Sequence, residues 1–173
     1  MSPTFGYTTI GASTAATSTT KQACKFTLSE AGDITSISWY GNKGAAGSTT
    51  LDPAIYADAA GVPGALKAAG TQITITDAVQ WWTANISVSL TAADYWLTFL
   101  TGASVTYYYD AGSTNQEDRG SDTLPFDDPW GTDSFQVRDN SIYATYTVAG
   151  GGVTYPAIER GRKGIGRGVL IGG

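Results

Sequence analysis

The chain of 173 residues contains no histidine and a single cysteine. The lack of histidine removes the commonest general base, every His-ligated zinc or copper site, and triads of the Ser-His-Asp or Cys-His type. Because Cys24 has no second cysteine to pair with, no intrachain disulfide can form, and nothing marks an oxidising compartment. Cys24 lies in a predicted strand, where we expect a small core residue rather than a nucleophile.

The chain also lacks an export signal and a membrane-spanning segment. Residues 1–7 contain neither the basic region nor the apolar region of a secretory signal. No run reaches the roughly 20 apolar residues that cross a bilayer. If Met1 is the native start, we expect a protein made and folded in the cytoplasm, with no membrane partner.

Charged residues are scarce, at 14% of the chain, against roughly 25% in ordinary soluble domains. Gly, Ser, Thr and Ala dominate, which favours strands and turns over a helical bundle with charged outer faces. The 42% of apolar residues can supply one core, and the length suits one domain.

Short segments of alternating apolar and small polar residues recur between Gly, Pro, Asn, Asp or Ser. They predict two packed antiparallel sheets built from nine strands, at 5–10, 24–28, 34–40, 54–57, 71–76, 84–90, 95–100, 105–109 and 141–147. Residues 30–33 and 62–65 are predicted tight connections. In the second, Pro63 and Gly64 would occupy the centre of a type II turn.

The charge is divided unevenly along the chain. Residues 1–149 carry six basic and fourteen acidic side chains, whereas 150–173 carry four basic side chains and one acidic. We therefore predict a folded domain over 1–148 and a Gly-rich, basic arm over 149–173. An acidic body makes nucleic acid an unfavourable partner for the folded domain, because such binding depends on Lys and Arg.

The acidic segment 114–133 is the longest stretch without periodicity, and loops of this length are often functional. Its carboxylates are expected mainly to cap turns and face solvent. The acidic segment lacks the ligand spacing of an EF-hand, so we predict that the protein has no cofactor. Bound Ca²⁺ is the lesser alternative. A hydrolase using two carboxylates is a third function class, but a sequence does not give the separation that such an enzyme needs.

Adjacent aromatic residues offer a binding platform, because neighbours on a strand face opposite sides and one ring of each pair must leave the core. Such a platform could stack against sugar rings, and its predicted members are Trp81, Trp82, Tyr108 and Trp130. The alternative is that these rings only pack in the core and at sheet edges.

The arm combines separated cations with small apolar clusters, and its glycines disfavour a free helix or strand. A Gly-rich terminus is often disordered, and four cations could instead bind phosphate. We favour an anchoring arm ordered by a partner. Its predicted contact residues are Ile158, Arg160, Arg162, Lys163, Ile165, Arg167, Val169, Leu170 and Ile171.

Several stretches resemble the jelly-roll modules of phage virion proteins and of bacterial surface proteins. They are FGYTTIGAS at 5–13, IYAD at 55–58, GVPGAL at 61–66, YWL at 95–97 and SIYATY at 141–146. In such modules a glycine often precedes the Tyr-Trp pair, where this chain has Asp94. The resemblance covers about residues 5–147 and includes no catalytic motif.

The resemblance implies an all-β, antiparallel two-sheet jelly-roll sandwich carrying an extended C-terminal arm. Proteins of this group are similar to carbohydrate-binding modules, or serve as capsid decoration, head-fibre or tail components. The missing signal sequence, the predicted ordered arm and the lack of a cysteine framework favour the virion class, assembled in the host cytoplasm. We thus expect a non-enzymatic structural protein whose partners are other virion subunits or copies of itself. The alternative is a carbohydrate-binding module of a surface or secreted protein, with surface glycans as ligands.

Overall fold

The computed structural model describes residues 2–112, 117–121, 124–131 and 134–150. These ranges contain strands and connecting segments, and within them no helix is long and apolar enough to cross a membrane. The strands are β1 Thr4–Gly6, β2 Ser13–Thr17, β3 Thr20–Leu28, β4 Gly32–Asn42, β5 Ser48–Asp58, β6 Pro63–Ala69, β7 Ile73–Thr76, β8 Gln80–Leu90, β9 Ala93–Thr101, β10 Val105–Ala111, β11 Glu117–Ser121, β12 Ser134–Gln136, β13 Arg138–Asn140 and β14 Ile142–Val148.

The strands form two antiparallel sheets packed face to face. Sheet A has the order β1-β14-β4-β8, extended by β10, β2 and β13. Sheet B has the order β3-β9-β5-β6, extended by β11, β12 and β7. The two four-strand orders, β1-β14-β4-β8 and β3-β9-β5-β6, contain eight strands between which the chain repeatedly crosses from one sheet to the other, which is the jelly-roll arrangement. The predicted all-β jelly-roll sandwich is confirmed.

The main core fills the space between the sheets. The side chains that form it alternate along each strand with side chains that point outward. On β4, Ile37 and Trp39 point inward and are each 1% exposed, as is Phe99 on β9. Cys24 belongs to the same core as a buried free thiol, as predicted. Burial raises the pKa of this thiol well above its ordinary value, and nearby Glu117 raises it further, so the reactive thiolate is disfavoured.

A second apolar layer covers the outer face of sheet B. Residues 124–131, here called the strap, place Phe126 and Trp130 against Tyr56 and Trp96. The strap is held at several points: Tyr56 Oη donates to the carbonyl of Asp127 over 2.9 Å, and the Trp130 amide donates to the carbonyl of Gly64 over 3.2 Å. Trp96 is therefore buried although it points away from the main core.

All nine predicted strand segments overlap strands of the fold, but two other local predictions are wrong. The hairpin between β5 and β6 turns at Ala60 and Gly61, which both have positive φ, and the Ala59 amide donates to the Val62 carbonyl over 2.8 Å. Such a turn matches strand twist, so Pro63 begins β6 instead of lying in the turn. The segment 114–133, predicted to lack regular structure, contains β11 and the strap. The arm, except its first two residues, lies outside the described ranges.

Candidate functional site

Four aromatic rings form a cluster on the outer face of sheet A, and we call this cluster the aromatic face. Its members are Tyr40 on β4, Trp81 on β8, Tyr108 on β10 and Tyr143 on β14, all half-buried. The cluster is assembled from four segments that are distant in sequence. It therefore depends on strand pairing.

The alternation of side chains along each strand and the register between paired strands together explain why these rings meet. Tyr40 follows the inward-facing Trp39 and must point outward, and it lies directly opposite Trp81 in the β4–β8 pair. Tyr143 lies opposite Ser38, the outward neighbour two residues before Tyr40. Side chains that are directly or diagonally opposite on one face are close enough for aromatic contact.

The rings touch edge to face, with centroids 5.2 Å apart for Tyr40 and Trp81, 5.0 Å for Tyr40 and Tyr108, and 5.0 Å for Trp81 and Tyr143. Each such contact contributes about 0.5–1.5 kcal/mol beyond the area it buries. Mutual packing therefore holds the aromatic face in one arrangement before any ligand arrives.

Polar groups border the aromatic face. The hydroxyls of buried Ser38 and exposed Thr83 are hydrogen-bonded to each other at 2.8 Å. Asn42 donates its side-chain amide to the carbonyl of Asp77 over 3.0 Å, while its own Oδ1 accepts no hydrogen bond from a described residue. Flat rings beside hydroxyl and amide groups suit a ligand with an apolar face and polar edges.

The structure brings together two of the four rings that the sequence predicted as a platform. Trp81 and Tyr108 are on the aromatic face. Trp82 points to the opposite side, where it packs against the main core and donates Nε1–H to the Gly41 carbonyl over 2.9 Å. Trp130 is 1% exposed beneath the strap. The prediction of one platform with these four members is therefore corrected to the aromatic face, which adds Tyr40 and Tyr143.

A buried ionic cluster lies where β10, β11 and β13 meet at one end of the sandwich. Glu117 is fully buried and accepts a hydrogen bond from Asn140 Nδ2 over 3.0 Å. Its carboxylate lies 3.4 Å from Arg119 Nε and 3.9 Å from Arg138 Nη1. Both guanidinium groups also donate to the hydroxyl of Tyr107.

Tyr107 remains a neutral hydrogen-bonding group in this cluster. Burial raises its pKa to about 12, and the charge of Glu117 acts in the same direction. Because Tyr107 and Glu117 are both shielded from solvent, no substrate can reach them. The cluster stabilises this end of the sandwich, and sequence reasoning missed it because Glu117 lies in the segment predicted to be an exposed loop.

The described acidic residues do not assemble a metal site. Among them, no three His, Cys, Asp or Glu side chains are placed to hold a metal ion together. Asp127 pairs with Lys21 at 3.3 Å, and Asp128 Oδ1 accepts the Leu66 amide over 2.9 Å, so these two carboxylates hold the strap. Asp122 and Asp133 lie outside the described residues.

One pair of carboxylates is adjacent, with Asp110 directly opposite Asp139 in the β10–β13 pair. The pKa of Asp110 is lowered, first by a hydrogen bond from Tyr7 Oη at 2.6 Å and then by one from the Ala12 amide. The pKa of Asp139 is raised, first by burial and then by the charge of Asp110. Two clefts, of about 540 and 220 Å³, are lined by other residues, so this pair lies in neither.

Comparison with known proteins adds no family. No protein-family model matches the chain, and no curated protein matches it.

Proposed function

We propose that the protein is a non-enzymatic structural component of a phage virion, in which the jelly roll is displayed and the arm, residues 149–173, joins it to neighbouring subunits. The observation that supports this division is the position of β14, the last described strand. β14 lies between β1 and β4 in sheet A, and the Ala149 amide then donates to the Ala31 carbonyl over 2.8 Å. The last described strand is thus paired on both sides within the sandwich.

The arm has the composition of an attachment segment. Its apolar residues, from Ile158 to Ile171, can bury surface on a partner at roughly 25 cal/mol per Å². Its four cations match a body that is predominantly acidic. Attachment through an arm of this kind requires no enzymatic chemistry and no cofactor.

Deleting residues 151–173 should leave a folded sandwich that no longer joins particles or copies of itself. The circular dichroism spectrum and the thermal unfolding midpoint should match those of the full chain. The fraction of protein that sediments with phage particles should fall to background. A matched full-length variant, with Arg160, Arg162, Lys163 and Arg167 replaced by glutamine, separates the contribution of charge from that of apolar contact. Normal particle attachment by the truncated protein would refute the proposal.

A second candidate function, carbohydrate binding, is favoured by the aromatic face. Sugar rings present flat C–H surfaces that stack on aromatic side chains, with hydroxyls at their edges for a group such as the exposed hydroxyl of Thr83. The arrangement of Tyr40, Trp81 and Tyr143 offers such a surface. A glycan-binding face and an attachment arm can serve one protein at opposite stages of a phage life cycle.

Trp81→Ala should weaken glycan binding about tenfold or more, corresponding to about 1.4 kcal/mol or above, because it removes the ring that contacts both Tyr40 and Tyr143. A glycan array identifies the ligand, and calorimetry then gives the affinities. Val62→Ala, at an exposed apolar residue on the β5–β6 hairpin, is the control and should bind normally. Equal binding by the two variants would place any glycan site elsewhere.

A further inference from the structure

Among the described strands, β8 is the longest one that lies at the edge of a sheet. It spans eleven residues, Gln80–Leu90, and among the described strands it pairs with β4 alone. One additional backbone contact occurs on its other side, where the Thr71 amide donates to the Asn85 carbonyl over 2.7 Å. The rest of this edge therefore presents backbone N–H and C=O groups without a strand partner among the described residues.

Monomeric β proteins usually protect such edges with charges, proline, bulges or short strands. The other edges of this fold follow that rule: β1, β12 and β13 have three residues each, β7 has four and β2 has five. β6 begins with Pro63, carries Lys67 and shifts register against β5. By contrast, β8 contains no charged residue and no proline. It shifts register against β4 between Asn85 and Val88, so its first half, before Asn85, is the stretch that lacks these protections against an added strand.

An open cleft of about 540 Å³ lies beside the second half of β8. Ile34 and Ile86, both nearly fully buried, form its apolar floor, and Thr71, Asn85 and Ser87 are among its polar walls. A strand added along β8 would direct alternate side chains toward this space. The edge and the cleft together suit an extended segment with small aliphatic side chains.

We propose that the edge of β8 and its adjoining cleft receive the arm of a neighbouring copy as an added strand. This inference rests on the proposed attachment function and names the surface to which the arm attaches. Residues 151–173, fully extended at roughly 3.3 Å per residue, span about 75 Å, far enough to reach an adjacent subunit.

The chemistry of the arm matches that of this edge. Val169 and Ile171 fall on one face of an extended strand and can enter the cleft together, while the surrounding glycines allow close backbone approach. Asp33 and Asp77, at opposite ends of β8, are exposed carboxylates near which the arginines would lie. An arginine beside β8 can also stack on Trp81.

Hydrogen–deuterium exchange tests this assignment in the full-length protein. The comparison variant replaces Val169, Leu170 and Ile171 by aspartate and keeps the chain at full length. In assembled wild type, amides of β8 should exchange at least tenfold more slowly than in the variant, whereas amides of central β9 should exchange equally in both. Protection that persists when dilution separates the copies would assign the edge to the protein's own arm and overturn the proposal.

A second variant tests the cleft directly. Ser87→Trp places a large ring at the cleft wall and should reduce self-association about tenfold or more in analytical ultracentrifugation, while Ser87→Ala should associate normally. A different outcome is that the aspartate variant fails to assemble, while the amides of β8 exchange equally in wild type and variant and Ser87→Trp assembles normally. The arm then attaches to another surface, and only this inference fails. If the aspartate variant assembles normally, the attachment function itself fails.

Discussion

Replacing Arg119 and Arg138 together by methionine is expected to lower the free energy of unfolding at pH 7 by about 3–5 kcal/mol. Both side chains are about one-fifth exposed and direct their charge toward Glu117, which is fully buried. Without them, the carboxylate keeps the hydrogen bond from Asn140 but has no positive charge nearby. A buried charge that has lost its partners carries a large desolvation cost.

The control is the triple variant in which Glu117 also becomes glutamine. Because this change removes the uncompensated charge while preserving the shape of the side chain, it should restore most of the lost stability. Urea denaturation followed by circular dichroism measures all three proteins. A triple variant as unstable as the double variant would show that the arginines act through packing, for example by the stacking of Arg138 on Tyr109 at 4.2 Å, and not through charge.

The fold was accessible from the sequence because its main signal is local. On β4, for example, residues 37–40 alternate, with Ile37 and Trp39 inward and Ser38 and Tyr40 outward, and this pattern needs no knowledge of neighbouring strands. β2 was missed because STAAT contains no large apolar residue. β6 was missed because Pro63 and Gly64 resemble turn residues, although the turn is made by Ala60 and Gly61.

The second apolar layer was missed for a different reason. A strand covered on one side should alternate, yet β9 contains the continuous run Tyr95 to Leu100, buried at every position. Such a run indicates burial on both faces. That signal predicts a cover over sheet B, but the covering residues, Phe126 and Trp130, lie in a segment whose acidic composition resembles a solvated loop.

The aromatic face could be predicted only in part because it depends on register. Alternation places Tyr40, Tyr143 and one of Trp81 and Trp82 on outer faces. Only the pairing of Tyr40 with Trp81 and of Tyr143 with Ser38 shows that the rings meet. Register is set by long-range packing, which one sequence does not reveal, so the four predicted rings combined three different parts of the sandwich: the outer face of sheet A, the main core and the layer beneath the strap.

Trp130→Ala is expected to destabilise the protein by about 3–5 kcal/mol, whereas Trp81→Ala should cost about 1–2 kcal/mol. The difference follows from position, because Trp130 is 1% exposed and Trp81 is half-buried with two edge-to-face contacts. Trp130 also contacts Tyr56 at 4.9 Å between ring centroids and lies under the ammonium of Lys21, 4.3 Å from the ring centroid. Its removal leaves a cavity between the strap and sheet B.

Lys21→Met distinguishes loss of the ring from loss of the charge. Lys21 is 1% exposed, and its ammonium lies 3.3 Å from Asp127 and 3.2 Å from the Trp130 carbonyl. Methionine keeps the apolar stem, and Asp127 is 59% exposed and can be solvated. The buried Trp130 carbonyl loses its donor, so this variant should lose about 1–2 kcal/mol. A loss equal to that of Trp130→Ala would mean that the ammonium, and not the indole, secures the strap to sheet B.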